Sequence, residues 1–170
     1  KYAYRLGDDD WSAPATVDAS ASAGEWASLA VVGATPKVVH YNTSSKSLIF
    51  VDNYRNSWLP PHTLSNQGHE VGKCSSLAVD KQGYLHISYF DSTSSSLLYI
   101  QYGNLEDAPL IMNTIDLGAT NCFSVIALNA ANNPSVGYVR GGNLYLRSLS
   151  VSGWTGEMPV DTGISGSGDY

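Results

Sequence analysis

The chain has little charge. Asp, Glu, Lys and Arg make up 14% of it, and nine basic against fifteen acidic residues leave a formal net charge of −6. So sparse and unclustered a set of cations gives no footprint for a nucleic-acid backbone and none for an anionic membrane surface. Long apolar runs are missing too, and nothing approaches the roughly 18 residues of a membrane-spanning helix. Two cysteines and four histidines, none spaced as zinc ligands, give no zinc motif. A Gly-x-Ser-x-Gly nucleophile elbow is also absent. The sequence opens at Lys1, with no initiator Met and no signal peptide, inside a segment that reads as a strand. We take it as a mature, excised or trimmed piece of something longer.

What the chain does have is turn and strand chemistry. Gly, Ser, Asn and Thr are abundant, and eleven Tyr with four Trp suit pleated surfaces. A length of 170 residues fits a single domain, 1–170, with enough chain to bury a core. The sequence also repeats. Trp26-Ala27-Ser28-Leu29-Ala30-Val31 returns as Cys74-Ser75-Ser76-Leu77-Ala78-Val79, and more loosely as Cys122-Phe123-Ser124-Val125-Ile126-Ala127, at an offset of 48 both times. A fixed period of this size means stacked supersecondary units.

The middle copy shows one unit most clearly. Ser76–Val79 is a short apolar strand, and Asp80-Lys81-Gln82-Gly83 is a turn. Leu85–Phe90 alternates apolar and polar residues, the mark of a half-buried strand. A polar hairpin loop at Asp91–Ser96, a third strand at Leu97–Tyr102, a loop at Gly103-Asn104 and a fourth strand at Leu110–Ile115 follow. The other copies fit, the last with a tight Arg140-Gly141-Gly142-Asn143 hairpin. Lys1, Leu48 and Leu144 each lie ten residues before a Trp: Trp11, Trp58 and Trp154. The middle copy has Asp107 there instead. The expected units are about 1–18 (a half), 26–65, 74–116 and 122–161, with a stub at 162–170.

Four short antiparallel strands per unit, inner strand first, describe a β-propeller blade. The string Ser76-Leu77-Ala78-Val79-Asp80-x-x-Gly83-x-x-His86-Ile87-Ser88-Tyr89-x-Asp91, with Leu97-x-Tyr99 after it and a Trp in the other copies, resembles blades of bacterial sialidase-like and lectin-type propellers. The Asp80–Gly83 turn is similar to that family's Asp-box but lacks its preceding Ser and has its aromatic misplaced. The resemblance implies an all-β, partial propeller of about three and a half 48-residue blades. Closed rings have four to eight blades. The expected chain is therefore a piece of a larger ring, one of two copies that complete a ring as a homodimer, or an irregular ring that closes on itself.

The resemblance implies a secreted or cell-surface, non-catalytic binding or adhesion module that recognises a glycan or protein through its loops or channel mouth. The alternatives are a fragment of a sialidase-type glycoside hydrolase and a structural repeat of a large surface protein. A sialidase needs three clustered arginines, and Arg5, Arg55, Arg140 and Arg147 do not recur at one blade position. Tyr41, Tyr89 and Tyr138 end the second strands, and Trp11, Trp58 and Trp154 recur before the outer strands. Each set reads either as sugar-stacking platforms or as packing between blades. His40 and His86 lie on second strands, as channel-facing ligands or as hydrogen-bonded structural groups. Cys74 and Cys122, at the same position of neighbouring repeats, are either joined or a strand spacing apart. No cofactor is implied beyond Ca²⁺ at Asp8-Asp9-Asp10, and those residues read first as a solvated acidic turn before Trp11. Asn42-Thr43-Ser44 matches a glycosylation sequon.

Overall fold

The computed structural model of the chain describes residues 1–65, 68–103, 109–119 and 122–163. Among the described residues there are strands, turns and bends but no helix. They form three antiparallel sheets. Sheet I holds β1 (Ala23–Val32), β2 (Thr35–Asn42), β3 (Ser47–Tyr54), the short β4 (Ser57–Trp58) and β5 (His62–Ser65). Sheet II holds β6 (Val71–Val79), β7 (Leu85–Asp91), β8 (Ser96–Tyr102) and β9 (Ile111–Leu117). Sheet III holds β10 (Ser124–Leu128), β11 (Pro134–Arg140), β12 (Asn143–Ser150), β13 (Gly153–Trp154) and β14 (Met158–Thr162). A hairpin precedes them, with Tyr2 bridged to Ala15 and Arg5 to Trp11. Residues 164–170 of the stub, Asn104 of the loop and Asp107 lie outside the described residues.

Turn chemistry corrects the repeat length. In sheet I the first two strands are joined by two residues, Gly33 and Ala34, with Gly33 at φ +61°. In sheet II five residues intervene, and the Asp80 carboxylate accepts the Gln82 and Tyr84 amides. Asn129 does the same for Ala131 and Asn133 in sheet III. The longer turn shifts the second strands, so Ser28 pairs with Val39 where Ser76 pairs with Ser88. The period is therefore 49, not 48, over β2, β7 and β11. Val38, Ile87 and Val136 share one position, and His40, Tyr89 and Tyr138 the next on that face. Tyr41 is not equivalent to the other two tyrosines; it aligns with Phe90 and Val139.

The sheets pack through their first strands. One core joins Val39, Leu48, Phe50 and Leu64 of sheet I to Leu77, Ile87, Tyr89 and Ile100 of sheet II. A second joins Leu97, Tyr99 and Ile115 to Ile126, Val136 and Tyr138 of sheet III. The Ser28 hydroxyl oxygen accepts the Leu77 amide at 3.0 Å, and the Ser76 oxygen accepts the Ile126 amide at 3.1 Å. Ser75 and Ser124 hydroxyls donate to the carbonyls of Trp26 and Cys74. These equivalences set a period of 48 between β1 and β6 but 49 between β6 and β10. Cys74 thus aligns with Phe123 rather than Cys122. Gly72, at φ +106° in the bulge of β6, is required: a Cβ there would lie 2.7 Å from the Leu48 Cα.

Cys74 and Cys122 are joined, with Cα atoms 5.5 Å apart, and tie β6 to the start of sheet III. The bridge closes a sequence separation of 48 residues, which restricts the unfolded chain by about 4 kcal/mol. Replacing both cysteines by serine is expected to lower the melting temperature by roughly 10 °C. Thermal unfolding followed by circular dichroism checks this, and an unchanged transition would contradict it.

Candidate functional site

The structure disperses the residues that the sequence singles out. Tyr41, Tyr89 and Tyr138 are buried in the core, the most exposed at only 2%, so they present no ring face to a solute. Burial, with the Glu70 carboxylate accepting its hydroxyl at 2.7 Å, pushes Tyr41 up to about 12. Burial also pushes Tyr89 up to about 12; its hydroxyl approaches Ser65 without closing a bond of ordinary geometry. His40 and His86 are both buried, on opposite-facing positions of different sheets. His40 Nδ1 receives the Gly24 amide and Nε2 reaches the Asp18 carboxylate at 3.0 Å. His86 meets the Tyr99 hydroxyl at 2.8 Å and Asp80 at 3.4 Å; burial, only partly opposed by Asp80, lowers its pKa.

Two of the tryptophans pack between units. Trp58 meets Tyr2 edge-to-face at 5.3 Å, and Trp154 meets Tyr99 the same way at 5.1 Å while donating to Asn113. Trp11, their equivalent in the hairpin, is 62% exposed. Asp8, Asp9 and Asp10 are exposed, on and just after a bend at residues 7–9 where Arg5 donates to the Gly7 and Asp8 carbonyls. Among the described residues no three His, Cys, Asp or Glu side chains gather as a metal site. The Asn42 side chain is buried and its amide nitrogen donates to the Ala21 carbonyl at 3.1 Å, so the sequon offers no free amide. The four arginines do not converge: Arg5 is in the hairpin, Arg55 lies over Tyr54 in sheet I, and only Arg140 and Arg147 share a sheet.

One cluster combines charge, aromatic surface and partial exposure, and it begins with a turn. Asn42 and Asp91, 49 residues apart, close sheets I and II and use their side chains on their own loops. Asn42 Oδ1 accepts the Ser44 and Ser45 amides, and Asp91 Oδ1 those of Thr93 and Ser94. The same position in sheet III is Arg140. Its loop is Gly141-Gly142, with φ of +56° and +74°, a two-residue turn that needs no side-chain cap. The position is thereby released.

Arg140 uses that freedom to bridge sheets II and III. Its guanidinium pairs with both Glu157 oxygens, at 2.9 and 2.6 Å, and with Asp116 Oδ1 on β9. It lies 4.9 Å over the Tyr145 ring, which stacks on Tyr138 at 5.8 Å. Tyr138 donates its hydroxyl to Glu157 at 3.0 Å. Arg140 holds the Glu157 carboxyl below the usual carboxylate range against the opposing effect of burial. Burial and Glu157 together push the Tyr138 hydroxyl up. The Arg140 and Glu157 side chains are about one-third exposed, whereas that of Asp116 is 3% exposed. Asp116 Oδ2 is buried with no hydrogen-bond partner, an arrangement that costs roughly 1–3 kcal/mol.

Sequence reasoning misses Arg140, Tyr145, Asp116 and Glu157 because it looks for residues that recur. The available signal is Tyr138-x-Arg140, which puts an aromatic and a cation on one strand face. A polar cleft, of about 270 Å³ and lined by Ser45, Lys46, His69, Glu70 and Thr93, lies between sheets I and II. There Lys73 pairs with Glu70 at 2.8 Å and sits over the Tyr41 ring.

The packing difference between the tryptophans is measurable. Trp154→Ala is expected to cost roughly 2 kcal/mol in urea unfolding, since it removes a half-buried ring. Trp11→Ala should cost under about 0.5 kcal/mol, as exposed substitutions do. Equal losses would contradict the assigned roles.

No protein-family model matches the chain, and no sequence among curated proteins matches it. Among solved structures, a triple arginine-to-alanine mutant of AofleA from Arthrobotrys oligospora is similar, with a TM-score of 0.58 and 11% identity over 92% of this chain and 48% of that one. A fucose lectin from Kordia zhangzhouensis, in complex with methyl-fucoside, matches with a TM-score of 0.46 and 14% identity over 76% of this chain and 95% of that one. The chain spans about half the length of the first. That likeness shows a shared all-β fold.

Proposed function

We propose that the chain is a carbohydrate-binding module that holds sugar without cleaving it, at the partly exposed surface around Arg140. The carrying observation is the Arg140 guanidinium, fixed between the Tyr145 ring and the Glu157 carboxylate while about one-third exposed. Such a group presents donors and acceptors side by side, as sugar hydroxyls require, and it is pre-organised, which lowers the cost of binding. The lectin named among the structural comparisons is in keeping with this reading. Glycoside hydrolysis needs one protonated carboxyl and one free carboxylate. Here both nearby carboxylates are committed to a single guanidinium, which favours binding over catalysis.

In this reading the three sheets are consecutive blades of a β-propeller, and further sheets of the same kind cover its ends. Leu29 is 51% exposed where its equivalent Leu77 is 7% exposed against the preceding sheet, and Trp11 is bare where Trp58 and Trp154 are packed. The covering sheets come from a second copy or from more of the same protein. The disulfide supports a secreted or surface location.

The test is isothermal titration of the folded chain with a panel of methyl glycosides, methyl-fucoside included. At least one should bind, and Arg140→Ala should weaken it about 10–100-fold, the loss of a charge-assisted pair of hydrogen bonds. Absence of binding across the panel, or an Arg140→Ala variant with unchanged affinity, would overturn the assignment.

A further inference from the structure

We infer that the space between the N-terminal hairpin and sheet I is a second binding site, separate from the Arg140 surface, and that it takes a small uncharged aromatic molecule bearing one hydroxyl. A cavity of about 480 Å³ lies there, within the size range of small-molecule sites. Tyr2 and Tyr4 of the hairpin form one side of it. Pro36 of β2, Asn53 of β3, Trp58 of β4 and Asn56 of the turn between the last two form the other. Tyr4 and Val31, which also lines it, are both more than half exposed, so a ligand reaches it from solvent.

A single register position opens the cavity. Lys37 pairs with Asp52 in sheet I, His86 with Gln101 in sheet II, and Ser135 with Ser148 in sheet III. The next residues along, Asn53, Tyr102 and Leu149, are therefore equivalent. Tyr102 is buried in the core that joins sheets I and II, and its hydroxyl donates to the Leu64 carbonyl of sheet I. Leu149 packs against the core that joins sheets II and III. Asn53 carries no ring and no long apolar chain. The volume that a phenol ring fills at the next junction is thus left open beside the hairpin.

The wall sets the class of ligand. Tyr2 meets Trp58 edge-to-face at 5.3 Å, and its ring lies 6.2 Å from that of Tyr4. A further ring among them gains offset or edge contacts. Among the described residues that line the cavity none is charged, so nothing there offsets the desolvation of an ion. Its side-chain polar groups are the Asn53 and Asn56 amides and the two tyrosine hydroxyls. These suffice for one ligand hydroxyl. A sugar would give up the hydration of several hydroxyls against walls made mainly of carbon, which is costly.

The probe is p-cresol, which is the tyrosine side chain as a free molecule. Titrated into the isotopically labelled chain, it should shift the Trp58 indole N–H resonance saturably, the signal being assigned through Trp58→Phe. Asn53→Tyr puts back the ring that sheet II carries and should weaken binding at least about tenfold. Tyr4→Ala, at an exposed position, should weaken it about threefold by removing one ring of the wall. Circular dichroism establishes that each variant is folded; if Asn53→Tyr is not, Tyr4→Ala decides. p-Toluate, with a carboxylate in place of the hydroxyl, should bind about tenfold more weakly than p-cresol or worse. A silent Trp58, an affinity unchanged in the folded variants, or equal binding of p-toluate overturns the inference and leaves the Arg140 reading standing. A methyl glycoside that shifts Trp58 where p-cresol does not makes the cavity a sugar site and also overturns it.

Discussion

A serine hydroxyl on one first strand that captures a backbone amide of the next is the contact on which the rest of the structure depends. It is made by Ser28 to Leu77 and again by Ser76 to Ile126. A hydroxyl reaches a neighbouring backbone only when the strands approach closely, so small residues are needed along β1, β6 and β10. A separate close approach, of the β6 bulge to β3, accounts for Gly72, whose missing side chain leaves room for Leu48. The approach of the first strands brings Cys74 within bonding distance of Cys122. Hydrophobic burial supplies most of the stabilisation, but these directional bonds fix which residue of one sheet faces which residue of the next.

The proposed site lies where the repeat is broken. The hairpin closing sheets I and II consumes the side chain of Asn42 or Asp91 for its own amides. In sheet III two glycines adopt the left-handed conformation themselves, and the equivalent side chain is free to be an arginine. From there the chemistry is assembled across elements: Glu157 precedes β14, Asp116 comes from the sheet before, and Tyr145 from the paired strand. Among the described residues, only the junction of sheets II and III holds an arginine between two carboxylates in this form.

Much of the architecture is legible in the sequence. The period, the alternation in Leu85–Phe90 and the turn residues at Asp80 and Asn129 all have their physical counterparts. The one-residue slip from 48 to 49 was not legible, because it depends on a two-residue turn at Gly33-Ala34 standing in for a five-residue one. That slip misaligned Tyr41 with Tyr89 and Tyr138 and hid His40 as their counterpart. The site was less legible still. Arg140 and Glu157 are 17 residues apart and Arg140 and Asp116 are 24 apart, and only the pairing of strands and sheets brings them together. Recurrence identifies Trp58 and Trp154, whose regular placement serves packing, while the proposed binding site lies in residues that do not recur.

The most direct test of this account is to follow the arginine side-chain N–H resonances and the indole N–H resonances of the isotopically labelled chain during titration with a neutral methyl glycoside that it binds. The account predicts saturable shifts in Arg140, assigned through the Arg140→Lys variant, with the indole signals of Trp11 and Trp58 unmoved. Shifts confined to the tryptophans, with Arg140 silent at saturation, would contradict it and return the site to the aromatic platforms.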